Sequence, residues 1–380
     1  MRKKLWIAGF LIIVITLLCL SAYLTADIDP YFHYHAPKTD TYYYTLSEER
    51  CQNYGILEHF EYEGMITGTS MTQNFKASEA EEIWGVPFVK TSSSGATFNE
   101  VNGYLNCAAE NNPNLKYVIR SVDMNKFFDD KDMLRTDLGS YPTYLYDDSI
   151  LNDVSYVFNR SLLFSQVLPM VTAASKPDAE VGITSFDDYE RWQDKYKYGR
   201  KKVLPKGLPD AASAKSIALS PEEADSVLAS IQQNMTALAR QYPDITFYYF
   251  MTPYSAAWWY SLLLEGTLDR QIDAERIVIE ELLTCPNIKL FSINCLLDIT
   301  TDLNNYKDER HYGGWINTLL LHYMHDGKYQ LTADNYLNYL EEERQYYTSF
   351  DYSQLTEQKD YKNDLRAAKL IEKRIAAGTL

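Results

Sequence analysis

The chain has 380 residues, with 36 Lys+Arg against 52 Asp+Glu, a formal net charge of −16, and 46% apolar residues. This ordinary globular composition is long enough for one large domain or two smaller ones, and it excludes a disordered tail, a collagen-like fibre and a multi-span membrane protein. With no basic stripe, the acidic balance argues against nucleic acid and against adsorption to an anionic membrane surface, because phosphate binding draws on Lys and Arg.

The chain opens with Arg2, Lys3 and Lys4, followed by an uncharged run from Leu5 to Leu24. As a helix this run is about 30 Å long, the thickness of a bilayer's hydrocarbon core. Positive charge before it, with Asp27 and Asp29 after it, predicts a single-pass anchor over residues 1–26 and an extracytoplasmic remainder. A cleaved signal peptide is the competing reading. The anchor is favoured because the run is long and Leu24 and Leu20 spoil the small-x-small sites ending at Ala26 and Ala22. Cys19 is then membrane-buried.

Four cysteines lie beyond the run: Cys51, Cys107, Cys285 and Cys295. They permit two disulfides or four buried thiols, and the sequence leaves both open; Cys285 and Cys295 bracket a predicted strand, too far apart to pair with each other. No Cys or His spacing suits a structural zinc site, and nothing in the sequence calls for a cofactor. Asn159-Arg-Ser161 and Asn234-Met-Thr236 are formal glycosylation sequons. The 32 tyrosines suit sugar stacking as well as cores and interfaces.

A Tyr-rich connector, residues 27–49, leads into a predicted domain over residues 50–330. Strands are predicted over 62–68, 86–91, 115–123, 245–252 and 288–294, with helices over 72–84, 98–110, 221–242 and 255–283. Ser220-Pro221-Glu222-Glu223 supplies an N-cap, a first-turn Pro and a capping-box Glu. Strand–helix alternation predicts a three-layer α/β/α domain with a mainly parallel five-stranded sheet. Residues 126–219 break the rhythm as an insertion that could cap the sheet's carboxyl edge. Residues 331–380 read as a helical extension.

Ligands of such sheets bind beyond the strands' carboxyl ends. There the first strand ends in Gly68-Thr69-Ser70, with Ser70 expected at a helix N-terminus, where free N–H groups favour a nucleophile. Simple helix capping by Ser70 or Thr72 is the bland alternative. Gly95 follows the second strand and Asn125 the third, each a candidate oxyanion donor. Asp308 precedes His311 by three residues after the last strand, a spacing that lets a carboxylate orient an imidazole acting as general base. His322 and His325 share one helix without a third ligand and read as surface residues.

The order Ser, Gly, Asn, Asp-x-x-His resembles the SGNH (GDSL-like) hydrolase superfamily over residues 60–326. That resemblance implies Ser70 as nucleophile, Gly95 and Asn125 as oxyanion donors, His311 as base and Asp308 as its orienter. The chain departs from the family's pattern in having Thr69 where the commonest motif has Asp, and in lacking Gly-x-Asn-Asp after the third strand. The anchored architecture is similar to the DltD-like and AlgX-like branches. It implies a membrane-anchored serine esterase or O-acyltransferase acting on an acylated glycan or small ester, with a membrane-bound acyl-donor partner. The rival reading is a non-catalytic glycan- or partner-binding protein on the same scaffold, which the missing third-strand motif favours.

Overall fold

In the computed structural model, which describes residues 2–137, 139, 141–147, 149–209, 214–361 and 365–377, the N-terminal run folds as one helix, α1 (Arg2–Ile28). At 27 residues it is about 40 Å long, enough to cross a membrane. Residues 3–13 and 15–20 are exposed, whereas Thr25 and Ile28 are buried.

The chain divides into two compact units. One joins Met1–Glu61 to Thr136–Ser185, and the other joins Tyr62–Arg135 to Phe186–Leu380. In the first unit, the stretch expected as a connector is folded around Asp29. Its carboxylate accepts the backbone N–H groups of His33, Tyr34 and His35 and the Tyr156 hydroxyl, at 2.6–3.1 Å. Tyr44 donates to the Ile28 carbonyl, and Tyr43–Tyr44 pairs in parallel with Gly182–Ile183. The expected insertion is therefore divided: residues 136–185 belong to this unit, and 126–135 and 186–219 to the other.

The second unit is mixed α/β and carries a six-stranded, mainly parallel sheet. Its strands are β1 (Gly64–Gly68), β2 (Phe88–Ser92), β3 (Tyr117–Val122), β4 (Thr246–Met251), β5 (Ile288–Phe291) and β6 (Gln330–Leu331), in the order β2-β1-β3-β4-β5-β6. The first five are parallel, with Gly64 opposite both Phe88 and Tyr117. The expected five strands are joined by β6, an antiparallel edge strand pairing Leu331 with Leu290. Two residues carry no readable alternation, so the sequence did not announce it. The strands are buried on both faces, as a sheet covered by helices requires.

Local chemistry sets the helix ends. The predicted capping box forms: Glu223 N–H donates to Ser220 Oγ (3.2 Å) and Ser220 N–H to the Glu223 carboxylate (3.0 Å). The helix expected over 255–283 is two, Ala256–Glu265 and Leu268–Leu282, because Gly266 takes φ +72° as a left-handed cap. All five cysteines are free thiols. Asn234 is fully buried with its amide on the Lys131 carbonyl, so that sequon is closed to modification in the folded chain.

Candidate active site

Strand order reverses around β1, which connects outward to β2 on one side while β3 lies on the other. A crevice opens at the carboxyl ends of such neighbouring strands. Ser70 follows β1 and Asn125 follows β3, so both stand at its rim.

The helix expected to begin near Thr72 begins at Ala77, so Ser70 lies in a turn seven residues earlier and not at a helix N-terminus. Tertiary contacts hold this turn open. Lys90, fully buried on β2, donates to the carbonyls of Gln73 (2.7 Å), Phe75 (2.9 Å) and Asp187 (3.3 Å). Asn74 Oδ1 accepts the N–H groups of Trp192 and Gln193, and Trp192 Nε1 donates to the Ser70 carbonyl at 3.1 Å. Those carbonyls are thereby satisfied without a helix.

The turn brings Ser70 Oγ within 2.8 Å of His311 Nε2, across 241 residues of sequence. On the other side of the ring, Nδ1 lies 2.9 Å from each Asp308 oxygen. Asp308 Oδ1 also accepts the backbone N–H groups of Arg310 (3.0 Å) and His311 (2.9 Å). Burial raises the Asp308 carboxyl, but the His311 ring, its charge and these N–H groups outweigh that and hold it at about 2. A carboxylate in that state fixes Nδ1 as the protonated nitrogen and leaves Nε2 to accept the Ser70 proton. Trp192 packs edge-on to the imidazole, with ring centroids 5.6 Å apart, and Lys307 Nζ sits 4.2 Å from the Trp192 ring centre.

Ser70, Gly95, Asn125 and His311 line one cavity of about 280 Å³. Gly95 has φ +66°, and a Cβ there would run into the Arg135 guanidinium, so the position accepts only glycine without strain. The backbone N–H groups of Ser70 and Gly95 donate to no protein acceptor among the described residues, so both are available to an oxyanion. Asn125 Oδ1 accepts the Tyr254 hydroxyl at 2.5 Å, which leaves the amide Nδ2 as its donor. Thr69, in the place of the commoner Asp, donates to Asp123 at 2.7 Å, and Ser121 donates to the other Asp123 oxygen. This pairing ties the ends of β1 and β3 together. Comparison with family models, curated proteins and solved structures yields no match for the chain.

The site rests on its own geometry. It holds a hydroxyl, a base, an orienting carboxylate and unpaired donors around an open space, the parts an acyl-transfer step requires. The cavity lining also includes Lys126, Arg135, Arg310 and Asp123, with Asp129 3.7 Å from the Lys126 ammonium and the Asp308 carboxylate behind the His311 ring. Ser70, Asp308 and His311, singled out in the sequence, are brought together, whereas Lys90, Trp192 and Tyr254, which contact the turn, the ring and the Asn125 amide, were not singled out. A lysine within an otherwise uncharged strand was the available signal for Lys90.

Proposed function

We propose that the chain is a membrane-anchored serine esterase or O-acyltransferase of SGNH type, its α/β unit a three-layer domain held outside the membrane by α1. The observation that carries this reading is the 2.8 Å contact between Ser70 Oγ and His311 Nε2, with Asp308 behind the ring. Ser70 attacks an ester carbonyl while His311 takes its proton. The tetrahedral oxyanion is met by the N–H groups of Ser70 and Gly95 and the Asn125 amide. Collapse expels the alcohol, which recovers the proton from His311 and leaves an acyl-Ser70 ester. Water or a sugar hydroxyl then attacks that ester, with His311 again as base, giving hydrolysis or transfer.

Lys126, Arg135 and Arg310 support an acyl group or acceptor that carries negative charge. A membrane-bound acyl donor and an acylated surface glycan fit the anchored arrangement. The test is ester turnover by the full chain. Ser70→Ala is expected to abolish hydrolysis of a small acetyl ester, and the intact chain is expected to turn over a succinyl ester faster than the acetyl one. Full activity of Ser70→Ala contradicts the mechanism, and equal rates contradict the charge preference.

A further inference from the structure

Residues 161–175 carry no charge, and neither do residues 245–264, yet the two runs have opposite fates. The second runs through β4 into the following helix, and none of its residues is exposed. The first lies in helix 160–174, where only Leu162 and Val167 are buried, Phe164 is 62% exposed, and the other exposed residues of the run are Ser161, Ser165, Pro169, Thr172, Ala173 and Ser175. Phe164 joins Ile150, Leu151, Val154 and Phe158 as exposed large apolar side chains, a surface that is costly in water unless something covers it.

Two further observations identify the cover. This helix belongs to the same unit as α1 and packs directly on it: α1 contacts both the segment Leu163–Val167 and the short helix Val154–Val157. Val14, Ser21, Ala22 and Leu24, inside the membrane-length stretch of α1, are correspondingly half-buried. Three hydroxyls of the run pair with its own carbonyls. Ser165 Oγ donates to the Ser161 carbonyl (2.6 Å), Thr172 Oγ1 to that of Leu168 (2.7 Å) and Ser175 Oγ to that of Thr172 (2.8 Å). Internal pairing of this kind removes the need for water, as a lipid environment demands. Ile150, Leu151, Val154 and Phe158 extend the exposed apolar surface just before it.

We propose that helix 160–174 is embedded in lipid beside α1, in the leaflet that α1 leaves at its C-terminal end. The inference rests on reading α1 as a membrane span. At 15 residues the helix is about 22 Å long, too short to cross, so it lies within one leaflet. Its contact is apolar, not electrostatic, which agrees with an acidic chain that has no attraction to anionic headgroups. Two apolar elements then fix the orientation of this unit on the bilayer, where one helix would leave it free to swivel.

The test places an environment-sensitive fluorophore at Phe164→Cys or Thr172→Cys in the full chain, reconstituted in phosphatidylcholine vesicles. Ile15→Cys in α1 is the lipid reference, Leu337→Cys the water reference, and the unsubstituted chain the blank for native thiols. Both helix labels are expected to be quenched by spin-labelled lipid to the same extent as Ile15→Cys and to resist aqueous iodide. Thr172→Cys provides the reading if the Phe164 substitution disturbs folding. Iodide quenching at the level of Leu337→Cys, with Ile15→Cys still in lipid, overturns the proposal and spares the anchor. Iodide quenching at Ile15→Cys overturns both. Protection from both quenchers means a protein covers the helix, and this also overturns the proposal.

Discussion

Asp308 and the Glu275–Glu343 pair are carboxyl groups of one unit whose proton affinities are pushed in opposite directions. Asp308 receives the His311 ring and two backbone N–H groups, and these donors hold it charged against the burial that opposes them. Glu275 is fully buried on helix Leu268–Leu282, and neither of its oxygens has a hydrogen-bond partner. Burial first, and the neighbouring Glu343 second, push its carboxyl well above the ordinary range; burial raises Glu343 as well. Supply of donors, more than depth alone, decides which carboxyl stays ionised. Beside His311 donors hold a carboxylate charged. Around Glu275, where burial is not outweighed, the protonated form is the cheaper state.

The sharpest way to break this comparison is to remove the charge and keep the shape. Asp308→Asn should reduce ester turnover by roughly 10³–10⁴-fold, because an amide no longer enforces the right tautomer of His311. Steady-state kinetics with a circular-dichroism check of folding measures it, and an undiminished rate would remove Asp308 from its role.

Donor supply also works in reverse at Lys90, whose ammonium group serves three carbonyls of the Ser70 turn and its neighbour. Lys90→Met should cost about 3 kcal/mol of stability by leaving buried carbonyls unpaired. Denaturant unfolding reads this directly; a midpoint unchanged from the parent would mean the turn holds without the lysine.

The smallest expected effect carries a sign. Carboxyls whose folded-state affinity for protons exceeds the unfolded one make stability fall as pH rises above the unfolded value, about 4.3. Glu275→Gln supplies the neutral form permanently. It should raise the melting temperature at pH 7.5, by a free energy on the order of 1–2 kcal/mol, and change little at pH 4. A destabilised variant at pH 7.5 would contradict the raised proton affinity of Glu275.

The strands were legible because short runs rich in β-branched and aromatic residues bounded by Gly, Pro and Asn leave few alternatives; Ser70 was legible because it follows a strand, and Asp308 and His311 because of their three-residue spacing. What escaped reading depends on contacts far apart in the chain. The turn at Ser70 is held by Trp192, 122 residues away, and local propensity alone favoured continuing the helix back to Thr72. The first unit escaped for the same reason. Tyr43–Tyr44 meets Gly182–Ile183 through two-residue strands, too short for any periodic pattern, and Asp29 gathers Tyr156 from the opposite end of the unit. Helix 160–174 was hidden differently, since a 15-residue uncharged run reads alike whether protein or lipid covers it.

The central claim is that the Ser70 hydroxyl is activated by His311. Treating the full chain with a fluorophosphonate and mapping the modified peptide by mass spectrometry tests it most directly. The account predicts one phosphonylated residue, Ser70, with modification lost in His311→Ala; an unmodified Ser70, or equal modification with and without the imidazole, would contradict it.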